Sequence, residues 1–149
     1  MNDATKISNR PPKGPAKGRY RKERIAHWDG VSRSKEDEKR AGSFYHKLLR
    51  HYYSSLIPPG MRILELGCCH GDLLDSLKAS FGVGIDFSSK MLRIAAKKHP
   101  GLFFVQADAH QLPLNTKFDV VILSDLVNDL WDVQGVFEKL QKLTHGKIQ

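Results

Sequence analysis

The 149 residues, 40% hydrophobic and 27% charged, fit one soluble globular domain with a real core. No apolar run approaches the roughly 18–20 residues of a membrane span, and the polar N-terminus lacks the apolar stretch of a secretory signal, so a cytoplasmic protein is expected. The formal net charge of +8 is uneven: residues 1–40 hold 12 Lys/Arg against 6 Asp/Glu, residues 41–149 hold 12 against 10.

Residues 1–19 carry Pro11, Pro12, Gly14, Pro15 and Gly18 among basic residues without apolar periodicity, and disorder is expected there. Residues 20–40 offer only Ile25, Ala26, Trp28 and Val31 as apolar contacts and predict a short, weakly docked helix. Beyond them Phe44, Leu48, Leu49, Tyr52 and Leu56 recur at three- and four-residue spacing, which makes one helical face, with Ser43 as candidate cap. Pro58, Pro59 and Gly60 end that helix. The chain then alternates. Met61–Leu66, Val83–Asp86, Leu102–Val105 and Phe118–Leu123 read as strands; Asp72–Ser80, Ser88–His99 and Val133–Leu143 read as helices.

This order predicts an α/β fold, a doubly wound parallel sheet with helices on both faces. The domain is expected over residues 43–149, after a basic segment 1–42 with a lid helix as a candidate. Phe118–Leu123 is almost continuously apolar, as in a strand buried on both faces. Only one helix follows it, and the closing residues 143–149 read as the turn before another strand. A bare edge there is a liability, so the chain is expected to be a fragment, truncated after its fourth strand.

The chemistry concentrates between the first strand and the first helix, in Glu65-Leu66-Gly67-Cys68-Cys69-His70-Gly71. Glycines let the backbone turn sharply and a ligand approach, and in doubly wound folds such a turn sits at the ligand crevice. Counted from Gly67, a dinucleotide fingerprint needs glycines where Cys69 and Asp72 stand; a P-loop needs a lysine after Gly71, where the chain has Asp72. Asp72, read as the helix N-cap, and Glu65 disfavour phosphate and suit a ligand with positive groups. Cys68 and Cys69 are adjacent, poorly placed to bridge each other and without metal spacing; reduced thiols suit the cytosol.

Four runs, MRILELGCCHGDLL, GVGIDFSSKML, FVQADAHQLPL and FDVVILSDLVNDL, come in order on the expected elements. In them the chain resembles class I S-adenosylmethionine-dependent methyltransferases, of the broad small-molecule type that includes quinone and lipid methyltransferases, over about residues 43–145. The resemblance implies a Rossmann-like sheet, S-adenosyl-L-methionine as cofactor, and methyl transfer to a small-molecule or lipid-like acceptor. It implies that Glu65, Gly67 and Gly71 lie against the methionine part of the cofactor and that Asp86 accepts hydrogen bonds from both ribose hydroxyls. Phe87 is placed near the adenine, Asp108 and Ala109 at its edge, and Ser124 and Asp125 near the reactive methyl. Asp108 is by type equally an Asx-turn residue, and Phe87 equally a core residue. The family usually has glycine where this chain has Cys69, whose side chain either points away or crowds the cofactor.

A hydroxyl or phenol acceptor needs a base; His46, His51, His70, His110, Asp125 and Asp129 are candidates, and none stands out. Ser124-Asp125-Leu126 lacks the Asn/Asp-Pro-Pro-aromatic motif of enzymes that methylate nucleobase nitrogen. His27, Trp28, Asp29, Tyr45 and His46 are candidates for an N-terminal lid over the cofactor. The rival reading is an RNA-associated methyltransferase, or a non-catalytic module that contacts nucleic acid or an anionic surface through residues 1–40, with strong salt dependence.

Overall fold

The computed structural model describes residues 15–31 and 44–148. Helix α1 spans Pro15–Val31 and α2 spans Phe44–Leu56. The alternation that follows is β1 (Arg62–Leu66), α3 (Asp72–Ser76), β2 (Phe81–Asp86), α4 (Ser89–Lys98), β3 (Phe103–Gln106), β4 (Phe118–Ile122), α5 (Val133–Leu143) and β5 (Thr144–Ile148). The five strands form one parallel sheet in the order β3-β2-β1-β4-β5. This is the expected α/β, Rossmann-like architecture. The chain steps outward from β1 to β2 and β3, then returns to β4 on the other side of β1. The strand order therefore reverses between β1 and β4, and a crevice opens at their carboxyl ends.

Alternation along the strands sorts the core into two layers. Leu64, Leu66 and Val121 pack with Val83, Ile85, Phe118 and the inward residues Val136 and Leu140 of α5. Ile63, Val120 and Ile122 point to the opposite face, onto Leu73 and Leu74 of α3, Leu77, and Leu49 and Tyr53 of α2. Ser88 caps α4 by accepting from the Met91 N–H at 3.3 Å.

Four expectations need correction. Residues 15–19, expected to be disordered, begin α1, with Pro15 where its fixed φ and missing N–H cost a helix nothing; residues 1–14 and the candidate cap Ser43 lie outside the described residues. The sheet does not stop at four strands. Thr144–Ile148, expected as a turn, pairs with β4 and covers its edge. Nor do the residues read as one apolar face of α2 stay together: Phe44, Leu48, Tyr52 and Leu56 are exposed, while Leu49 packs with Tyr53 onto the core, beside half-buried His46 and Arg50. Finally, α3 is shorter than expected, and its N-cap is Gly71 rather than Asp72. Gly71 sits at φ 75°, which an L-residue seldom adopts, so Asp72 becomes the first helical residue.

Candidate functional site

The turn after β1 is fastened to the end of β2. The N–H groups of Gly67 and Cys68 both donate to the Ile85 carbonyl, at 2.7 and 3.1 Å. Gly67 has φ 73°, and a Cβ there would stand 3.2 Å from Leu126 Cδ1. A Cβ on Gly71 would stand 2.8 Å from Phe104 Cζ, so that glycine is held by packing as well as by φ. Asp86 completes the fastening: its Oδ2 accepts from the Cys69 N–H at 3.1 Å and its Oδ1 from the Ser88 N–H at 2.8 Å. The Phe87 amide also acts on this carboxylate, whose roughly four lone-pair sites still leave room for a ligand. Burial raises the Asp86 pKa against the pull of these amides. Cys69 has φ 47°, in the left-handed region, which is a physical reason for the glycine that the resemblance leads one to expect there.

Above this turn lies a cavity of about 250 Å³. Its walls come from β1 and the turn (Glu65, Gly67, Cys69, His70), the end of β2 (Asp86, Phe87), the end of β4 (Ser124, Asp125, Leu126) and two helices (Trp28 of α1; His46, Leu49 and Arg50 of α2). Glu65 is 3% exposed, and its Oε2 is buried without a hydrogen-bond partner. Burial first, then the nearby Asp86 and Asp72, push its carboxyl up to about 8. His70 Nε2 is also buried without a partner. Two orphaned polar atoms on one cavity wall are an unusual expense in a folded protein and point to a polar ligand. Asp72 is engaged elsewhere: Oδ1 accepts from Lys98 Nζ at 2.6 Å and lies 2.9 Å from His99 Nε2. Burial works to raise its pKa, but Lys98 and His99 outweigh it and hold the carboxyl below its ordinary value.

A smaller cavity of about 40 Å³ shares Phe87, Leu126 and Asp129 with the first and adds Asp108, Ala109, His110, Trp131 and Tyr20, Arg21 and Arg24 of α1. Asp108 Oδ1 accepts from the His110 N–H at 2.9 Å, the Asx turn that its residue type offers, and is 2.7 Å from His110 Nδ1. The His110 hydrogen bond lowers the Asp108 pKa, against burial. The Asp132 N–H donates to His110 Nε2 at 3.4 Å. His110 also stacks on Trp131, with ring centroids 4.2 Å apart. The ring is thus occupied on both nitrogens.

The eight residues expected to bind cofactor come together, with one exception. Glu65, Gly67, Asp86, Phe87 and Ser124 line the larger cavity; Phe87, Asp108 and Ala109 line the smaller one. Gly71 lines neither and shapes the turn from beneath. Of the candidate bases, His46, His70, Asp125 and Asp129 line the larger cavity, His110 the smaller, and His51 is exposed and lines neither. Of the candidate lid, Trp28 and His46 face the cavity, and the Tyr45 hydroxyl donates to Asp125 Oδ1 at 2.8 Å. Asp125 is itself left-handed, at φ 55°. Arg50, among the described residues the one Lys or Arg that lines the larger cavity, was missed from sequence. Its place beside Leu49 and Tyr53, on the half-buried side of α2, shows only in the fold.

A family model described as the methyltransferase domain matches residues 63–145. The chain belongs to this methyltransferase family. Its fold is that of the class I S-adenosylmethionine-dependent enzymes, as the four motifs implied. Among relatives, this methyltransferase domain is 41% identical over 70 residues to a phthiotriol/phenolphthiotriol dimycocerosates methyltransferase of Mycobacterium leprae, covering 42% of this chain and 26% of that one. It is 39% identical, with the same two coverages, to a fatty-acid O-methyltransferase of Mycolicibacterium smegmatis. It also resembles the crystal structure of an S-adenosylmethionine-dependent methyltransferase from Mesorhizobium loti, with a TM-score of 0.53 and 30% identity, over 58% of this chain and 43% of that one. The matched stretch is about a quarter of the length of the two curated relatives.

Proposed function

We propose that residues 43–149 form the cofactor-binding part of an S-adenosyl-L-methionine-dependent methyltransferase acting on a lipid-like or small-molecule acceptor. The observation that carries this reading is the pairing, in one cavity, of Asp86, fastened by two backbone amides, with Glu65, whose buried Oε2 has no partner. Asp86 would hold the ribose hydroxyls with its remaining lone pairs, and Glu65 the ammonium. Gly67 gives the methionine chain room to approach, and Arg50 offers the charge its carboxylate needs. Phe87 and Ala109, beside the second cavity, fit an adenine, with Asp108 Oδ2 toward its edge; Ser124 would line the region of the methyl group. The bound cofactor supplies a methyl group already activated on a sulfonium. The protein's part is to orient the acceptor and exclude water.

The acceptor class is supported by the names of the relatives, which concern dimycocerosates and fatty acids. A fatty-acid carboxylate is ionised at neutral pH and needs no base; for a hydroxyl acceptor, the candidate bases that line the cavity are His46, His70, Asp125 and Asp129. Cys68 and Cys69, neither of them in a disulfide, fit a cytoplasmic setting. Cations of residues 1–40 fit an anionic surface, although Arg21 and Arg24 turn toward Asp108 and Asp129 of the domain itself. Incubation with methyl-labelled cofactor and separated lipid, RNA and protein fractions tests the reading. Label in the lipid fraction is expected; label confined to RNA or protein would overturn it.

A further inference from the structure

We propose that the outer face of α2 is a docking surface for anionic lipid bilayers. Phe44, Leu48 and Tyr52 stand one turn apart and are 81%, 53% and 59% exposed. Tyr45 and Leu56 widen the stripe. Thirteen residues long, α2 fully buries none of them. A helix that sets Phe44, Leu48, Tyr52 and Leu56 along one exposed side, while Leu49 and Tyr53 anchor its other side to the core, has the form of one that rests in the plane of a membrane interface.

The charges on α2 select the partner. The helix carries Lys47 and Arg50, with His46 and His51, and no acidic residue. Lys47 and His51, both exposed, follow Phe44 and Leu48 by three residues and flank the stripe. Apolar side chains entering the acyl boundary would leave the Lys47 ammonium and the His51 ring at the level of the lipid phosphates. A second copy of the chain, docked face to face, would instead bring the basic residues of both helices into one interface with no acid of α2 to pair them. Asp125, in the loop after β4, accepts from the Tyr45 hydroxyl, and the same loop exposes Val127. The inner side of α2 presents His46, Leu49 and Arg50 to the larger cavity. On the lipid-acceptor reading, docking would bring that cavity to the bilayer from which its acceptor comes; the docking itself does not depend on that reading.

Flotation of the full chain with vesicles tests the proposal without any methyl transfer. The protein is expected to float with mixed phosphatidylcholine and phosphatidylglycerol vesicles, and less with phosphatidylcholine alone. Leu48→Glu with Tyr52→Glu should weaken binding about tenfold or more, because apolar burial and lipid charge act together, with circular dichroism unchanged. In a second variant, Tyr52→Trp, tryptophan emission should shift to the blue on vesicle addition by more than that of the parent protein. Absence of flotation, equal binding by the double variant, an unshifted emission, or a parent dimer that the double variant splits would each overturn the proposal. Failure to bind cofactor would leave these readouts standing, so the two readings fail separately.

Discussion

Glu65 is where burial and chemistry conflict most. Its carboxyl titrates near 8 in the fold against 4.5 for the free group. Between those values the folded protein holds a proton that the unfolded chain has released, so stability falls as pH rises through that window. Glu65→Gln should flatten the fall, read from urea midpoints at about pH 6 and about pH 9. A cationic ligand reverses the preference by pairing with the ionised form. Affinity for S-adenosyl-L-methionine should therefore rise with pH toward about 8, with release of a proton, and Glu65→Gln should remove that dependence. At Cys69 the strain is conformational: Cys69→Gly should stabilise the protein by about 1 kcal/mol in thermal unfolding, the scale of a left-handed L-residue. An acid ending an apolar strand was legible in the sequence at both Glu65 and Asp86. The orphaned oxygen, the left-handed φ and the Asp108–His110 pairing were not, because they arise from atoms that only the folded turns bring together.

The strands β1 to β4 were legible because nearly continuous apolar runs bounded by turns leave little choice. β5 was hidden: it starts directly after α5, and its His145, Gly146 and Lys147 are poor strand formers, so pairing with β4 rather than propensity makes it a strand. In α2 the apolar pattern gave the helix and not its orientation, since a stripe marks a face without saying what covers it. α1 has no apolar face and is held by polar contacts, the Tyr20 hydroxyl donating to the Asp129 carbonyl at 2.8 Å and Arg24 paired with the Asp129 carboxylate. Arg24→Ala should loosen α1 by about 1 kcal/mol, the upper end of the range for a solvated ion pair, because this pair is half-buried. Hydrogen exchange should speed in α1 and stay unchanged in the sheet. By contrast, Leu140 of α5 is fully buried in the layer formed with β1 and β4. Leu140→Ala should cost about 2–5 kcal/mol of global stability, by transfer and cavity terms together.

At the scale of the molecule, one topological fact places the site. Strand order reverses beside β1, and the turn after β1, the end of β2 and the end of β4 meet around one cavity. The order of the four motifs along the chain already implied that meeting; the contribution of α1 and α2 to its walls did not follow from any motif. Among the described residues no helix is long and apolar enough to cross a membrane, and no cluster of three or more His, Cys, Asp and Glu could hold a metal ion. The cavity instead brings Glu65, Asp86 and Asp125 together with Arg50, a set suited to a ligand that carries both a cation and a carboxylate. Calorimetric titration of S-adenosyl-L-methionine into the protein tests this most directly. A saturable one-site heat is expected, weakened by about 1.5–3 kcal/mol in Asp86→Ala, the scale of hydrogen bonds to a charged group. No heat at millimolar cofactor, or equal affinity in the variant, would contradict it.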